Sequence, residues 1–306
     1  MAIDRRDYLR GMGAIGLTLA MPTPLWSQSN VIAGQARLDT LSDGNLVLPK
    51  SFILGEMSPP GADEILTRYG LAGDTLTPDC NVTLFRDGTR TVLFDAGAGA
   101  DFMPTTGRLI EAFDTLGVDP FDVTDVVFTH AHPDHIWGLL DDFGDLSFPE
   151  ADYHIGADEF AYWTDPNTVS TIGTERQSFA VGAANRLAEI ADRIILFDDG
   201  AEVLPGIHSR ATPGHTPGHM AFVVTVGREE IMVVGDAIGN HHIAFERPGW
   251  ISGSDQDGTL GAKTRQMLLD QLAHDQMRFV GFHLPNGGLG RAEKRDEGFV
   301  FVGEDS

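Results

Sequence analysis

The sequence predicts an α/β (α+β) fold on two observations. Strand-like runs, dense in Val, Ile, Leu and Phe, alternate with segments whose apolar residues return every three or four positions. Several of those runs also end directly on histidine or aspartate, which is where short loops at strand ends gather polar side chains. With 306 residues, 42% of them hydrophobic and 22% charged, the chain can bury a sizeable core. Residues 31–306 contain no stretch that reads as a linker, so they are expected to form a single domain.

Taken in order, residues 1–30 read as a twin-arginine signal segment. Arg5-Arg6 stands before a mildly apolar run from Gly11 to Met21, which is shorter than the ~20 residues of an ordinary membrane span. Ser27-Gln28-Ser29 offers a small-x-small cleavage site, so a periplasmic or secreted location without a stable span is expected. Ala36 to Leu41 reads as a strand, Ser42-Asp43-Gly44-Asn45 as a turn, and Leu46 to Leu48 as a second strand. A Gly- and Pro-rich loop is expected from Gly55 to Gly73. Asn81 to Phe85 and Thr91 to Phe94 flank Asp87-Gly88 as a hairpin. Leu109, Ile110, Phe113 and Leu116 give the next helix. Further along, helices are expected at Ala157 to Trp163, Glu175 to Ile190 and Thr259 to Ala273. Strands are expected at Asp152 to Ile155, Arg193 to Phe197, Ile207 to Ala211, Met220 to Val226, Ile231 to Val234, Arg278 to Gly281 and Phe299 to Val302.

Composition narrows the function classes. A formal charge of −24 disfavours nucleic acid, whose phosphates are held mainly by Lys and Arg, and favours a neutral or cationic small molecule. Cys80 is the only cysteine, which excludes an intrachain disulfide and a cysteine-rich zinc site.

The chemistry concentrates in Thr129-His130-Ala131-His132-Pro133-Asp134-His135, where three imidazoles and a carboxylate occupy six positions after the apolar Val126-Val127-Phe128. Pro133 suits the first turn of a helix. His130 and His132, two apart on extended chain, project to one side and can grip one ion, whereas Asp134 and His135 open the helix and face elsewhere, which points to two ions. A single histidine is most often a structural residue; this density is harder to attribute to packing. His215, Asp236 and His283 each follow a later strand-like run.

With these residues in place, the sequence resembles the metallo-β-lactamase superfamily, whose signature is His-x-His-x-Asp-His followed by a His, an Asp and a final His. The resemblance implies a four-layer αββα sandwich with the site at one edge. It implies that His130, His132 and His215 hold one divalent ion and Asp134, His135 and His283 the other, with Asp236 between them. Asp134 and Asp236 thereby join the catalytic apparatus. The expected cofactor is a pair of divalent ions, Zn²⁺ first, although imidazole and carboxylate ligands also suit Fe, Mn, Ni or Co. Asp95, at the end of the second hairpin strand, would lie beneath the site and orient a ligand histidine; an Asx turn explains it equally well from spacing. His219 matches a structural histidine of the superfamily.

A narrower resemblance, to methyl parathion hydrolase and its relatives, rests on Leu41-Ser42-Asp43-Gly44, Asp95 to Gly107, Leu204-Pro205-Gly206-Ile207 and Gly298 to Val302. It implies an aromatic cap over the site from Phe102, Trp163 and Phe179. His241 and His242 depart from that group's pattern and are read as lining the cleft. The reading is then a dinuclear hydrolase of a small neutral ester: a lactone, an aryl ester or a phosphotriester. Alternatives are a mononuclear iron persulfide dioxygenase, a glyoxalase-type thioesterase, or a metal-binding module without turnover. The expected partner is a small-molecule substrate, and a homodimer is the assembly this reading allows.

Overall fold

A computed structural model describes residues 27–55 and 59–304. The twin-arginine stretch and the apolar run after it lie outside the described residues. The strands are β1 (Ser27–Ala33), β2 (Ala36–Asn45), β3 (Leu48–Pro49), β4 (Thr75–Leu76), β5 (Asp79–Arg86), β6 (Thr91–Phe94), β7 (Asp125–Val127), β8 (Asp152–Gly156), β9 (Ile194–Phe197), β10 (Glu202–Leu204), β11 (Ile207–Ala211), β12 (Met220–Val226), β13 (Glu229–Val233), β14 (Arg278–Val280), β15 (Leu289–Arg295) and β16 (Gly298–Gly303). The helices are α1 (Lys50–Leu54), α2 (Ala62–Arg68), α3 (Leu109–Leu116), α4 (Pro133–Ile136), α5 (Ala157–Thr164), α6 (Thr168–Thr171), α7 (Gln177–Glu189), α8 (Ile243–Glu246) and α9 (Gly258–Asp275).

One sheet runs β1-β2-β5-β6-β7-β8-β9 and the other β10-β11-β12-β13-β14-β15-β16, with β3 and β4 paired apart from both. From β6 to β9 the pairing is parallel, which buries β7 on both faces and explains why Val126 and Val127 are both apolar. Successive side chains face opposite ways. Val126 joins a core with Leu84, Leu93 and the helix residues Phe113 and Leu187, whereas Val127 joins Phe85, Phe94, Phe222 and Val224 between the sheets. On the far face of the second sheet, Ala221, Met232 and Phe279 pack against Leu268, Leu269 and Leu272 of α9. The result is helix, sheet, sheet, helix in four layers, as the sequence led one to expect. Among the described residues no helix is long and apolar enough to cross a membrane.

Local structure adds to or departs from the sequence reading in several places. β2 runs on through Ser42 to Asn45, where a turn was expected, and its register shifts there. The bulge places Gly44 at φ 98° and lets the buried Asp43 accept from the Leu109 amide, which starts α3, and from the Ala98 amide. The loop from Gly55 to Gly73 contains α2, begun by acidic Asp63 and Glu64. β1 pairs along β2 from Ser27 to Ala33, so both the expected boundary at residue 30 and the expected cleavage site fall within a strand. β15 pairs with β16, although its charged sequence gave little sign of a strand.

Candidate metal centre

The site forms where the two sheets meet at the carboxyl ends of β7 and β13. The Met220 amide donates to the Thr129 carbonyl and joins the sheets directly beneath it. After β7 the chain bends at Thr129, and His132, extended at φ −69° and ψ 160°, stands before the Pro133 that opens α4. That change from strand to helix turns His130 and His132 one way and Asp134 and His135 the other. His215 comes from the β11–β12 loop, Asp236 from the turn after β13, and His283 from the turn after β14.

The structure brings all seven residues together, buried, in two adjoining clusters: His130, His132 and His215; and Asp134, His135, Asp236 and His283. In the first, His132 Nδ1 lies 3.0 Å from His130 Nε2 and 2.8 Å from His215 Nε2. In the second, His283 Nε2 lies 3.2 Å from Asp134 Oδ2 and 3.1 Å from Asp236 Oδ2. Asp236 belongs to both environments, since Oδ1 is 3.3 Å from His135 Nε2 and Oδ2 is 3.3 Å from His215 Nε2.

Electrostatics separates the clusters. Burial, and then the neighbouring imidazoles, press His130 and His132 well below the ordinary histidine value, so they are neutral and can present lone pairs. Burial presses His135 the same way, but Asp236, Asp95 and Asp134 outweigh it and raise it to about 10. Asp236 is held well below the usual carboxylate range, because His283 and His135 overcome the cost of its burial. The second cluster therefore demands positive charge. Asp236 Oδ1 and His135 Nε2 are both buried and face each other at 3.3 Å without the alignment of a hydrogen bond. Orphaned ligand atoms on a carboxylate and an imidazole, beside neutral imidazoles, fit divalent cations.

The supports are specific. Asp95 accepts from the Thr129 amide and hydroxyl, both at 2.8 Å, and lies 2.8 Å from His135 Nδ1. It does so at φ 68°, a left-handed conformation that only a local demand maintains in a non-glycine residue. His219 is structural: its Nε2 accepts from the Asp236 amide and its Nδ1 faces Thr212 Oγ1, fixing a neutral ring that burial pushes down to about 3. The sequence reading missed Asp255, which lies 3.3 Å from His215 Nδ1 and is itself paired with Arg265 at 3.2 Å. An aspartate in a Ser-Gly loop carries no sequence mark of that role. Glu159 was missed as well; its spacing to Trp163, one helical turn, was the available signal.

The expected aromatic cap is corrected in one member. Phe102 and Phe179 are half-buried rings in edge contact at 6.1 Å, and Phe179 reaches His132 at 5.9 Å. Trp163 is only 1% exposed, packs edge-on behind His132 at 5.6 Å and donates its indole N–H to Glu159 at 2.6 Å. It packs as part of the core. His241 meets Tyr69 edge-on at 5.2 Å, His242 lies tilted to it at 6.0 Å, and both line a cavity of about 210 Å³ that reaches His283. His242 also accepts from the Ile243 amide at the start of α8.

Comparison with known proteins agrees with this fold. The family model described as "Metallo-beta-lactamase superfamily" matches residues 77–273. An uncharacterized Mycobacterium tuberculosis protein, Rv2581c, is 31% identical over 212 residues, covering 66% of this chain and 83% of its own. The structure of the hydrolase AbOPH, assigned to the beta lactamase superfamily, superposes with a TM-score of 0.84 at 25% identity, over 92% of this chain and 98% of the other. AidC, a dizinc quorum-quenching lactonase in complex with a product, N-hexanoyl-L-homoserine, superposes with a TM-score of 0.84 at 27% identity, over 92% and 99%.

Proposed function

The chain belongs to the metallo-β-lactamase superfamily, and from that premise we propose that it is a two-metal hydrolase of small neutral esters, lactones first, in the methyl parathion hydrolase-like group. The observation that carries the proposal is Asp236, whose two carboxylate oxygens face imidazoles of both clusters. When bound, a pair of divalent ions supplies Lewis acidity toward the ester and a water acidic enough to attack at neutral pH. The protein's own part is placement. His130 and His132 offer neutral donors beside His215, Asp134 and His283 complete the second set, and Asp95 fixes the ring plane of His135.

The substrate class follows from the walls. Ile53, Leu71, Leu76, Pro78 and Pro285 give the cavity beside His283 an apolar part and Thr77, Asp79, Asn240, His241 and His242 a polar one, with no lysine or arginine among the described residues around it. Its volume of about 210 Å³ exceeds the ~150 Å³ that suffices for a benzene ring. An uncharged ring or medium acyl chain fits, and an anionic substituent finds no counter-charge. The lactonase similarity of AidC supports a lactone as the first substrate to try.

The test is metal content measured beside hydrolysis of an N-acyl homoserine lactone, an aryl ester and a phosphotriester. Close to two ions per chain are expected, with the lactone turned over best. Full activity with one ion, or two ions with no hydrolysis of any of the three, would overturn the proposal.

Phe179 gives a finer expectation. Its contact with bound substrate persists in ground and transition states alike, so Phe179→Ala should raise KM for long-acyl or aryl substrates about tenfold, ~1.4 kcal/mol, and leave kcat within about twofold. A short lactone should be less affected. Unchanged KM with lowered thermal stability would make Phe179 packing alone.

A further inference from the structure

Glu159 is a fully buried acidic side chain near the centre that touches no histidine of it. It lies on α5, outside both clusters, and its carboxylate receives four hydrogen bonds. Oε1 accepts from the Ala131 amide at 3.0 Å and from the Trp163 indole at 2.6 Å. Oε2 accepts from the Thr216 hydroxyl at 2.7 Å and from the Gly218 amide at 3.0 Å. No cation is among these partners, so the donors alone compensate its burial, which still raises its pKa.

The identity of the donors gives the group its meaning. Ala131 lies between His130 and His132 on the loop of the first sheet, and Thr216 follows His215 on the loop of the second. Trp163, held by the same carboxylate, sets its ring against His132. Gly218 lies so close to α5 that a Cβ there would stand 2.1 Å from the Glu159 amide nitrogen, so helix and loop meet at backbone distance. Each oxygen of Glu159 thus serves one of the loops that carry the first cluster. By contrast, Asp134, His135, Asp236 and His283 receive nothing from it.

We propose that Glu159 is the positioning residue for the first metal site, setting the separation and ring placement of His130, His132 and His215 across the two sheets. This rests on the reading that those three residues hold an ion. Its specific consequence is asymmetry: loss of Glu159 weakens one site and spares the other. A carboxylate that merely ties loops together would lower the stability of the metal-free protein and treat both sites alike.

The experiment is stepwise Zn²⁺ titration of the metal-free full chain against a chromophoric chelator, for wild type, Glu159→Gln and, as a marker of the first site, His130→Ala. Gln keeps the shape but turns an amide toward two of the four donors. The step lost in His130→Ala should weaken about 10–100-fold in Glu159→Gln, while the other step stays within about threefold. Two steps with wild-type affinity, or equal weakening of both, would overturn the proposal. Should Glu159→Gln fail to fold, Thr216→Val removes one donor at nearly constant volume and should weaken the same step by a smaller factor; an unchanged step there would overturn it too. A wild-type chain that binds no metal defeats the metal reading itself, an outcome distinct from either.

Discussion

Asp236→Ala is expected to lower kcat/KM by about three orders of magnitude, ~4 kcal/mol of transition-state stabilisation, while the four-layer fold persists. Asp236 is the carboxylate facing imidazoles of both clusters, at 3.3 Å from His135 and His215 and 3.1 Å from His283. Its loss leaves five buried imidazoles around one remaining carboxylate, Asp134, so bound cations would repel each other with less compensation. Metal content should fall below two ions per chain and far-ultraviolet circular dichroism should be unchanged. Turnover within about tenfold of wild type would remove Asp236 from the reaction.

Gly138→Ala is the second large effect, and it acts through the backbone. A Cβ at Gly138 would lie 2.2 Å from the Ala96 carbonyl oxygen, and the Gly138 amide donates to the Gly97 carbonyl at 2.8 Å. Neither neighbour is a flexible side chain, so the segment after α4 and the loop after Asp95 must separate. Overpacking of this kind costs about 3 kcal/mol, which lowers Tm by roughly 5–10 °C. Asp95 moves with its loop, so His135 loses its fixed plane and activity should fall even at temperatures where the variant is folded. Thermal melts and assays at low temperature check both halves; a variant with wild-type Tm would show that the contact yields freely.

The site was largely legible because its ligands follow apolar strands, and strands buried on both faces announce themselves. Val126-Val127-Phe128 and Ile231 to Val234 are such runs, and the residues following them are the ones the structure assembles. Strands with one solvated face were harder. In β15, Leu289 and Ala292 are buried but Glu293, Lys294 and Arg295 are exposed, and that mixture reads as loop. β1 was obscured by its position next to an expected export segment. The buried supports were least legible of all. Asp255, Glu159 and Asp43 each take at least one partner from 28 or more positions away in the chain, and beyond the one-turn spacing of Glu159 to Trp163 nothing in local composition marks a carboxylate whose donors arrive from elsewhere. Trp163 shows the converse error: a large ring beside a cleft was read as facing it, when its polar end had already found Glu159 inside.

Neither cluster is complete within one sheet. His130, His132, Asp134 and His135 follow β7 of the first, whereas His215, Asp236 and His283 belong to the second. Any cation that binds therefore adds its binding free energy to the cohesion of the two halves: a free-metal level 100 times the dissociation constant contributes ~2.7 kcal/mol. On the proposed reading the centre is thus a clasp as well as a reaction site, and scarcity of metal would loosen the seam of the sandwich, with its wide interior of Phe94, Val127, Phe222 and Val224, along with silencing the chemistry.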